Sequence, residues 1–231
     1  MNTTVASRVL DPRIRASLMC TLALIVSACD APSTMRPDFA YDPTTLSRGQ
    51  LYRWASGRQI MVWADVGTGI GTVDLALAVR QAVTTWNTVP QFAEFTLVMA
   101  SSINDADIVV YDRASPVPVS AGSCTFDPRG SAGYTYFCPT GLAPTTAQKL
   151  SLNAGGASQV SVLIRVDRGR VATQDGYAAL VAHEFGHALG IGGHSDAPSD
   201  LMFGFPTVTK PTVRDIHTLR YLLGKVPDIT L

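Results

Sequence analysis

The feature that most constrains this chain is the stretch His183–Ser195, which reads HEFGHALGIGGHS. His183 and His187 are four residues apart, so on an α-helix their side chains lie on one face, one turn apart. Two imidazoles at this spacing can bind one metal ion from a single rigid element. Glu184 projects beside such an ion rather than onto it, where a general base for metal-assisted hydrolysis belongs. The stretch therefore predicts a helix that carries a metal site.

A turn after this helix brings in a third nitrogen ligand. Gly190 can adopt a positive φ, so the helix can end there and the chain can turn back towards the metal with His194. Three protein ligands leave the fourth position of a tetrahedral zinc site open, which is typical of catalytic rather than structural zinc. A solvated helix that carries two histidines by chance is the alternative. It is disfavoured because the chain has only four histidines, and three of them lie in this stretch.

The pattern resembles the zinc-binding signature of the metzincin clan of peptidases, and within that clan it is most similar to the matrixins. The signature of the clan reads HExxHxxGxxH. Here the third histidine comes one residue later, because three residues (191–193) follow Gly190. Two of them, Gly192 and Gly193, are glycines, and we expect the pair to absorb the additional residue as a bulge.

A methionine downstream supports the same resemblance. Met202 lies eight residues after the third histidine, in the run Asp-Leu-Met. It fits the methionine turn that packs under the metal in this family, although an ordinary core methionine is the alternative. The resemblance implies one Zn²⁺ ion, with Glu184 as the general base and with three ligands, His183, His187 and His194.

The resemblance also implies an α+β fold of the α/β/α type. It consists of a twisted mixed sheet of about five strands with three helices, and the zinc cleft lies between an upper and a lower subdomain. Hydrophobic periodicity predicts strands and helices that are consistent with this fold. Strands are predicted at 58–65, 95–100, 107–111 and 160–166, and helices at 72–88, 174–189 and 212–223.

Residues 126–141, FDPRGSAGYTYFCPTG, resemble the matrixin loop and edge strand above the active-site cleft. We expect this edge strand to pair with the main chain of an extended substrate, which is β-augmentation. A surface hairpin with aromatic packing is the alternative. The candidate substrate-binding residues are Ala132, Gly133, Tyr134, Thr135 and Tyr136.

The residues around this stretch also include candidates for a calcium site, a second zinc site and a disulfide. In the resembled family an aspartate at the position of Asp127 can help to bind calcium, but an Asp-Pro-x-Gly turn explains this residue without any ion. A second, structural zinc is not expected, because Gly133 and Tyr134 stand where the family has a histidine. Cys124 and Cys138 are an even pair, for which a disulfide is expected in an oxidising compartment.

The amino terminus reads as an export signal covering residues 1–28. Its apolar run, Leu18–Val26, is too short to span a bilayer as a permanent helix. The run ends in Val-Ser-Ala-Cys, which resembles the bacterial lipoprotein lipobox and implies lipidation of Cys29. A signal peptide cleaved near Ala28 is the alternative. Either interpretation exports the protein, to the bacterial cell envelope or outside the cell.

The rest of the chain divides into a tether at 29–47, rich in Pro, Ser and Thr, and one catalytic domain at 48–231. The formal net charge of the full chain is zero and there is no basic block, so a nucleic-acid partner is not expected. We expect a monomer that contacts the membrane only through its N-terminal lipid anchor.

These features predict a zinc-dependent endopeptidase that hydrolyses extended protein or peptide substrates, with Glu184 as the base. One alternative is an envelope-tethered binding module that keeps zinc but does not cleave. Glu184 argues against it, since a site freed from catalysis has no need for that carboxylate. The other is an envelope protein whose zinc serves folding only, which is disfavoured because structural zinc sites are usually closed by four ligands.

Overall fold

A computed structural model describes residues 40–65, 73–89, 94–112, 119–120, 131–139, 145–153 and 157–231. Within these ranges the chain forms three α-helices: α1 (Leu75–Asn87), α2 (Gln174–Ala188) and α3 (Val213–Leu223). It also forms twelve strands: β1 (Tyr52–Arg53), β2 (Arg58–Ala64), β3 (Phe95–Met99), β4 (Ile108–Asp112), β5 (Val119–Ser120), β6 (Gly133–Tyr136), β7 (Cys138–Pro139), β8 (Thr145–Gln148), β9 (Leu150–Asn153), β10 (Ala157–Val160), β11 (Val162–Val166) and β12 (Ile229–Thr230). The predicted α+β class, with three helices and a mixed sheet, is confirmed.

The main sheet has five strands in the order β3-β2-β4-β11-β6. The first four run parallel, and β6 is antiparallel to β11 at one edge. Two smaller sheets, in the orders β1-β12-β8-β7 and β10-β9-β5, accompany it. The mixed character of the main sheet thus comes from a single reversed edge strand.

Alternating residues of the central strands face two separate cores, because successive side chains of a strand point to opposite faces. Ile108 and Val110 of β4 join the larger core, which includes α1 and α2. Val109 and Tyr111 join a smaller core on the other face of the sheet, where Leu150 of β9 also packs. The sheet is therefore covered on both faces, as expected for largely parallel strands.

Helix α2 is buried almost throughout. Every residue from Tyr177 to Ala188 is buried, including the two histidines and the glutamate of the motif. The helix begins at Thr173, whose hydroxyl accepts a hydrogen bond from the Gly176 amide at 3.1 Å. A helix that is buried on all sides needs partners for every polar side chain it carries.

Helix α1 packs against α2 through one apolar stripe. Leu75, Val79, Ala82 and Trp86 are all buried. The indole Nε1 of Trp86 donates to the main-chain oxygen of Ala182 in α2 at 2.9 Å. The stripe therefore joins the two helices by apolar contact and by one directed hydrogen bond.

The folded part of the chain makes specific contacts before residue 48, where the catalytic domain is predicted to begin. Tyr41 is buried, and its hydroxyl donates to Asp215 in α3 at 2.8 Å. The main-chain amide of Leu46 donates to the oxygen of Gly192 at 2.6 Å. A few specific contacts therefore hold this segment, although its composition is typical of linkers.

The predicted signal peptide and the lipidation site, Cys29, lie outside the described residues. Within the described part of the chain, no helix combines the length and the apolarity needed to cross a membrane.

We expect Trp86→Ala to lower the free energy of unfolding by about 3–5 kcal/mol, because it removes a fully buried indole and leaves a cavity between α1 and α2. The matched control is Leu77→Ala on the solvent side of α1. It should change the free energy of unfolding by less than about 0.5 kcal/mol. Denaturant unfolding of both variants measures the difference. Equal losses in the two would contradict the packing described here.

Candidate metal centre

Helix α2 and the turn after it bring three histidine side chains together. His183, His187 and His194 each offer one ligand atom, and these atoms lie within 4.8 Å of one another. The Nε2 atom of His187 is 3.1 Å from that of His183 and 3.2 Å from that of His194. Three nitrogens bound to one tetrahedral zinc at its usual bond lengths lie about 3.3–3.4 Å apart. The spacing therefore fits a single metal ion.

Hydrogen bonds at Nδ1 fix the orientation of the imidazoles of His183 and His187, the two histidines on the helix. The Nδ1 atom of His183 lies 2.8 Å from the main-chain oxygen of Leu201, and that of His187 lies 2.6 Å from the oxygen of Ile191. A carbonyl oxygen only accepts, so each Nδ1 carries the hydrogen and each Nε2 presents a lone pair. Two lone pairs facing each other at 3.1 Å repel, and a cation between them relieves that repulsion.

The protonation of the three histidines also suits a metal. Burial lowers the pKa of His183 to about 4. It lowers the pKa of His187 as well, with a further contribution from the neighbouring His183, and the pKa of His194 is lowered by burial. Neutral imidazoles are the form that binds a metal ion. The three residues can therefore hold a metal ion near neutral pH.

Gly190 ends the helix as the sequence predicts. It has a φ of +121°, a conformation that side chains rarely allow. A Cβ atom at this position would also lie 2.6 Å from the main-chain oxygen of Tyr52. Both the backbone conformation and the close approach of β1 therefore require glycine here.

The two glycines of the lengthened loop provide room rather than an unusual conformation. Neither Gly192 nor Gly193 is among the glycines with positive φ in the described residues. A Cβ atom at Gly193 would overlap the main-chain oxygen of Asp42, and one at Gly192 would lie 2.9 Å from the oxygen of Pro43. The additional residue is thus accommodated by a close contact between this loop and the N-terminal segment 41–47.

Asp215 organises the methionine turn, a role that sequence reasoning missed. The carboxylate is fully buried and accepts hydrogen bonds from the amides of Leu201 and Met202 at 2.9 and 3.2 Å. It also accepts the hydroxyl of Tyr41 and the amide of Thr212 at 2.8 Å each. At the start of α3, Thr212 and Asp215 form a capping box, and this local pair is the only part of the arrangement that sequence spacing encodes.

Met202 packs against α2, the helix that carries His183 and His187. Its side chain is fully buried, and a Cβ atom at Gly186 would overlap its sulfur. The preceding residue, Leu201, supplies the carbonyl that orients His183. One turn therefore supports the helical histidines both by packing and by a hydrogen bond.

Glu184 is buried against the edge strand β6. Its Oε2 atom accepts the hydroxyl of Thr135 at 2.7 Å. A Cβ atom at Gly133 would overlap Oε1. Burial raises the pKa of Glu184 to about 8, and the hydrogen bond from Thr135 opposes this shift. A nearby divalent cation would also lower the pKa, because it favours the carboxylate.

The five predicted substrate-binding residues differ in their environments. Four of them form β6, which is an edge of the main sheet among the described strands. Gly133 and Thr135 contact Glu184. The rings of Tyr134 and Tyr136 lie against each other with centroids 4.3 Å apart, and Tyr134 is exposed. Ala132 packs partly buried against the larger core.

The remaining predicted residues are only partly described. Cys138 is disulfide-bonded and fully buried. Its predicted partner, Cys124, and the calcium candidate, Asp127, lie outside the described residues.

Comparison with known proteins identifies no family: no family model matches the chain, and no curated protein matches it.

We expect Gly193→Ala to weaken metal binding, measured with zinc, at least about tenfold, which corresponds to about 1.4 kcal/mol. The added methyl group would overlap the oxygen of Asp42 and shift the loop that carries His194. Competition with a chelator of known affinity measures the change. Gly224→Ala is the matched control, because a Cβ atom there meets only ordinary contacts at 3.6 Å. Unchanged zinc affinity in Gly193→Ala would refute the proposed role of this contact.

Proposed function

We propose that this protein is a zinc-dependent endopeptidase that hydrolyses peptide bonds in extended protein substrates, as a metzincin of matrixin type would. The observation that carries the proposal is the convergence of three imidazole Nε2 atoms next to a helix residue, Glu184, that is buried against an edge strand. Three nitrogen ligands are typical of a catalytic zinc site with an open position.

The donor set supports zinc as the metal. All three donors are imidazole nitrogens, and the distances of 3.1 and 3.2 Å from the His187 nitrogen to the other two suit a small tetrahedral ion. Calcium and magnesium prefer oxygen ligands at more coordination positions. When bound in such a site, zinc acidifies a water molecule and polarises a carbonyl group as a Lewis acid.

The residues of the site have separate roles in the proposed reaction. His183, His187 and His194 would hold the metal through Nε2. Glu184 takes a proton from the attacking water at its carboxylate and delivers it to the leaving amine. The main chain of β6 holds the substrate in an extended conformation by strand pairing, so that the scissile carbonyl faces the metal.

The burial of Glu184 favours an enzyme over a non-cleaving binding module. Only 4% of the surface of Glu184 is exposed, and a buried carboxylate is costly unless it is hydrogen-bonded. This chain supplies a dedicated partner for it in Thr135. Zinc binding alone needs neither the carboxylate nor that partner.

We further propose that the enzyme is exported and works as a monomer at the bacterial cell envelope, anchored by lipid at Cys29, or is secreted. This location rests on the signal sequence and the lipobox alone.

We expect Glu184→Gln to keep zinc and lower cleavage at least about 100-fold, because the amide cannot take up the proton. Glutamine keeps the shape and an oxygen for Thr135, so the fold should persist. Cleavage of a quenched fluorescent peptide library by the zinc-loaded mature chain measures the effect, together with the zinc content.

The matched control is Glu94→Gln at the only other glutamate of the chain, which pairs with Arg53 at 3.2 Å. It should cleave like the wild type. A wild-type chain that binds zinc and cleaves no peptide would instead support the binding module. Full activity of Glu184→Gln would show that another group is the base.

A further inference from the structure

One residue of the edge strand, Thr135, makes a direct contact with the proposed base. Its hydroxyl oxygen lies 2.7 Å from Oε2 of Glu184 and 3.0 Å from the main-chain oxygen of the same residue. A hydroxyl group has one hydrogen to donate. The carboxylate is the stronger acceptor, because hydrogen bonds to an ionised group are about twice as strong as neutral ones.

A second residue of the strand confines the other carboxylate oxygen. Gly133 is two positions before Thr135, so both point to the same face of β6. A Cβ atom at Gly133 would overlap Oε1 and would lie 2.9 Å from Cδ and Cγ of Glu184. The carboxylate therefore lies directly over the strand, with Oε2 at Thr135 and Oε1 at Gly133.

The main chain of the same two residues faces the outer edge of the sheet. In an antiparallel pair, residues alternate between those that exchange hydrogen bonds with the partner strand and those that do not. The amide of Asp167 donates to the oxygen of Ala132 at 2.7 Å, and the register pairs Tyr134 with Arg165. Gly133 and Thr135 are thus the residues whose amide and carbonyl groups point away from β11.

We propose that Thr135 is a positioning residue that holds Glu184 with its side chain while its main chain pairs with the substrate. This inference rests on the proposed peptidase function and deepens it. Because one residue makes both contacts, the carboxylate is set in register with the bound peptide. Oε2 is held by the hydroxyl, and Oε1 is left to take the proton.

The physical reason is the flexibility of the glutamate side chain. An unrestrained glutamate can adopt several rotamers, and ordering it costs conformational entropy. The hydroxyl of Thr135 and the close approach of Gly133 order the glutamate side chain before the substrate binds. Since misplacement by about 1 Å can cost about 100-fold in rate, loss of the hydroxyl should act on turnover. The substrate pairs with the main chain of β6, so substrate binding, measured as KM, should change little.

The test is a series of substitutions at Thr135 in the zinc-loaded mature chain. Thr135→Val keeps the shape of the side chain and removes the hydroxyl, Thr135→Ala removes the hydroxyl and a methyl group, and Thr135→Ser keeps the hydroxyl. The probe is the quenched fluorescent peptide that the wild type cleaves fastest. We measure kcat, KM, zinc content and melting temperature.

We expect Thr135→Val and Thr135→Ala to lower kcat by about 10- to 100-fold, as for a lost hydrogen bond to a charged group, with KM within about twofold. Thr135→Ser should restore kcat to within about threefold of the wild type. Thr96→Val, an exposed threonine on the opposite edge strand β3, is the matched control and should keep wild-type kinetics. A shared loss in Val and Ala, which differ in size, assigns the effect to the hydroxyl.

Gly133→Ala provides a second test that leaves the hydroxyl in place. The added methyl group would displace Oε1, so kcat should fall while zinc is retained. Wild-type kcat in Thr135→Val, a loss seen in KM alone, or failure of Thr135→Ser to restore kcat would each overturn the inference. A wild-type chain that cleaves no peptide would overturn the proposed function, and this inference with it.

Discussion

The structure depends on satisfying three polar side chains in the middle of a buried helix. His183, Glu184 and His187 lie in α2 where every neighbouring residue is buried. Each obtains its partner from a different part of the chain: the methionine turn, the edge strand β6, and the loop after the helix. Unsatisfied, such groups would each cost about 1–3 kcal/mol or more. The elements around α2 are therefore arranged by its polar side chains as much as by its apolar ones.

Asp215 extends this arrangement to parts of the chain that are distant in sequence. Its buried carboxylate joins the methionine turn, the start of α3 and Tyr41 from the N-terminal segment. The same segment lies against Gly193 in the loop that carries His194. The third histidine is thus held by contacts from both ends of the folded domain. This explains how a loop that is one residue longer than the metzincin signature still brings His194 to the other two.

Local sequence patterns were sufficient to predict the parts of the molecule that local physics determines. The helical spacing of His183 and His187, the turn at Gly190 and the apolar stripe of α1 all follow from residues close in sequence. The contacts of Thr135 with Glu184 and of Tyr41 with Asp215 join residues 49 and 174 positions apart. No periodicity encodes such pairs. The segment 41–47 has the composition of a linker, and the hydrogen bonds and close glycine contacts that hold it also join residues far apart in sequence.

X-ray absorption spectroscopy of the zinc-loaded mature chain can determine whether the imidazoles of His183, His187 and His194 bind one zinc ion. We expect one zinc per chain, four-coordinate, with three imidazole nitrogens at about 2.0–2.1 Å and one further light atom. Substitution of His194 by alanine should reduce the imidazole count from three to two. A zinc ion with sulfur ligands, or an imidazole count that does not change in His194→Ala, would show that these three histidines do not form the site.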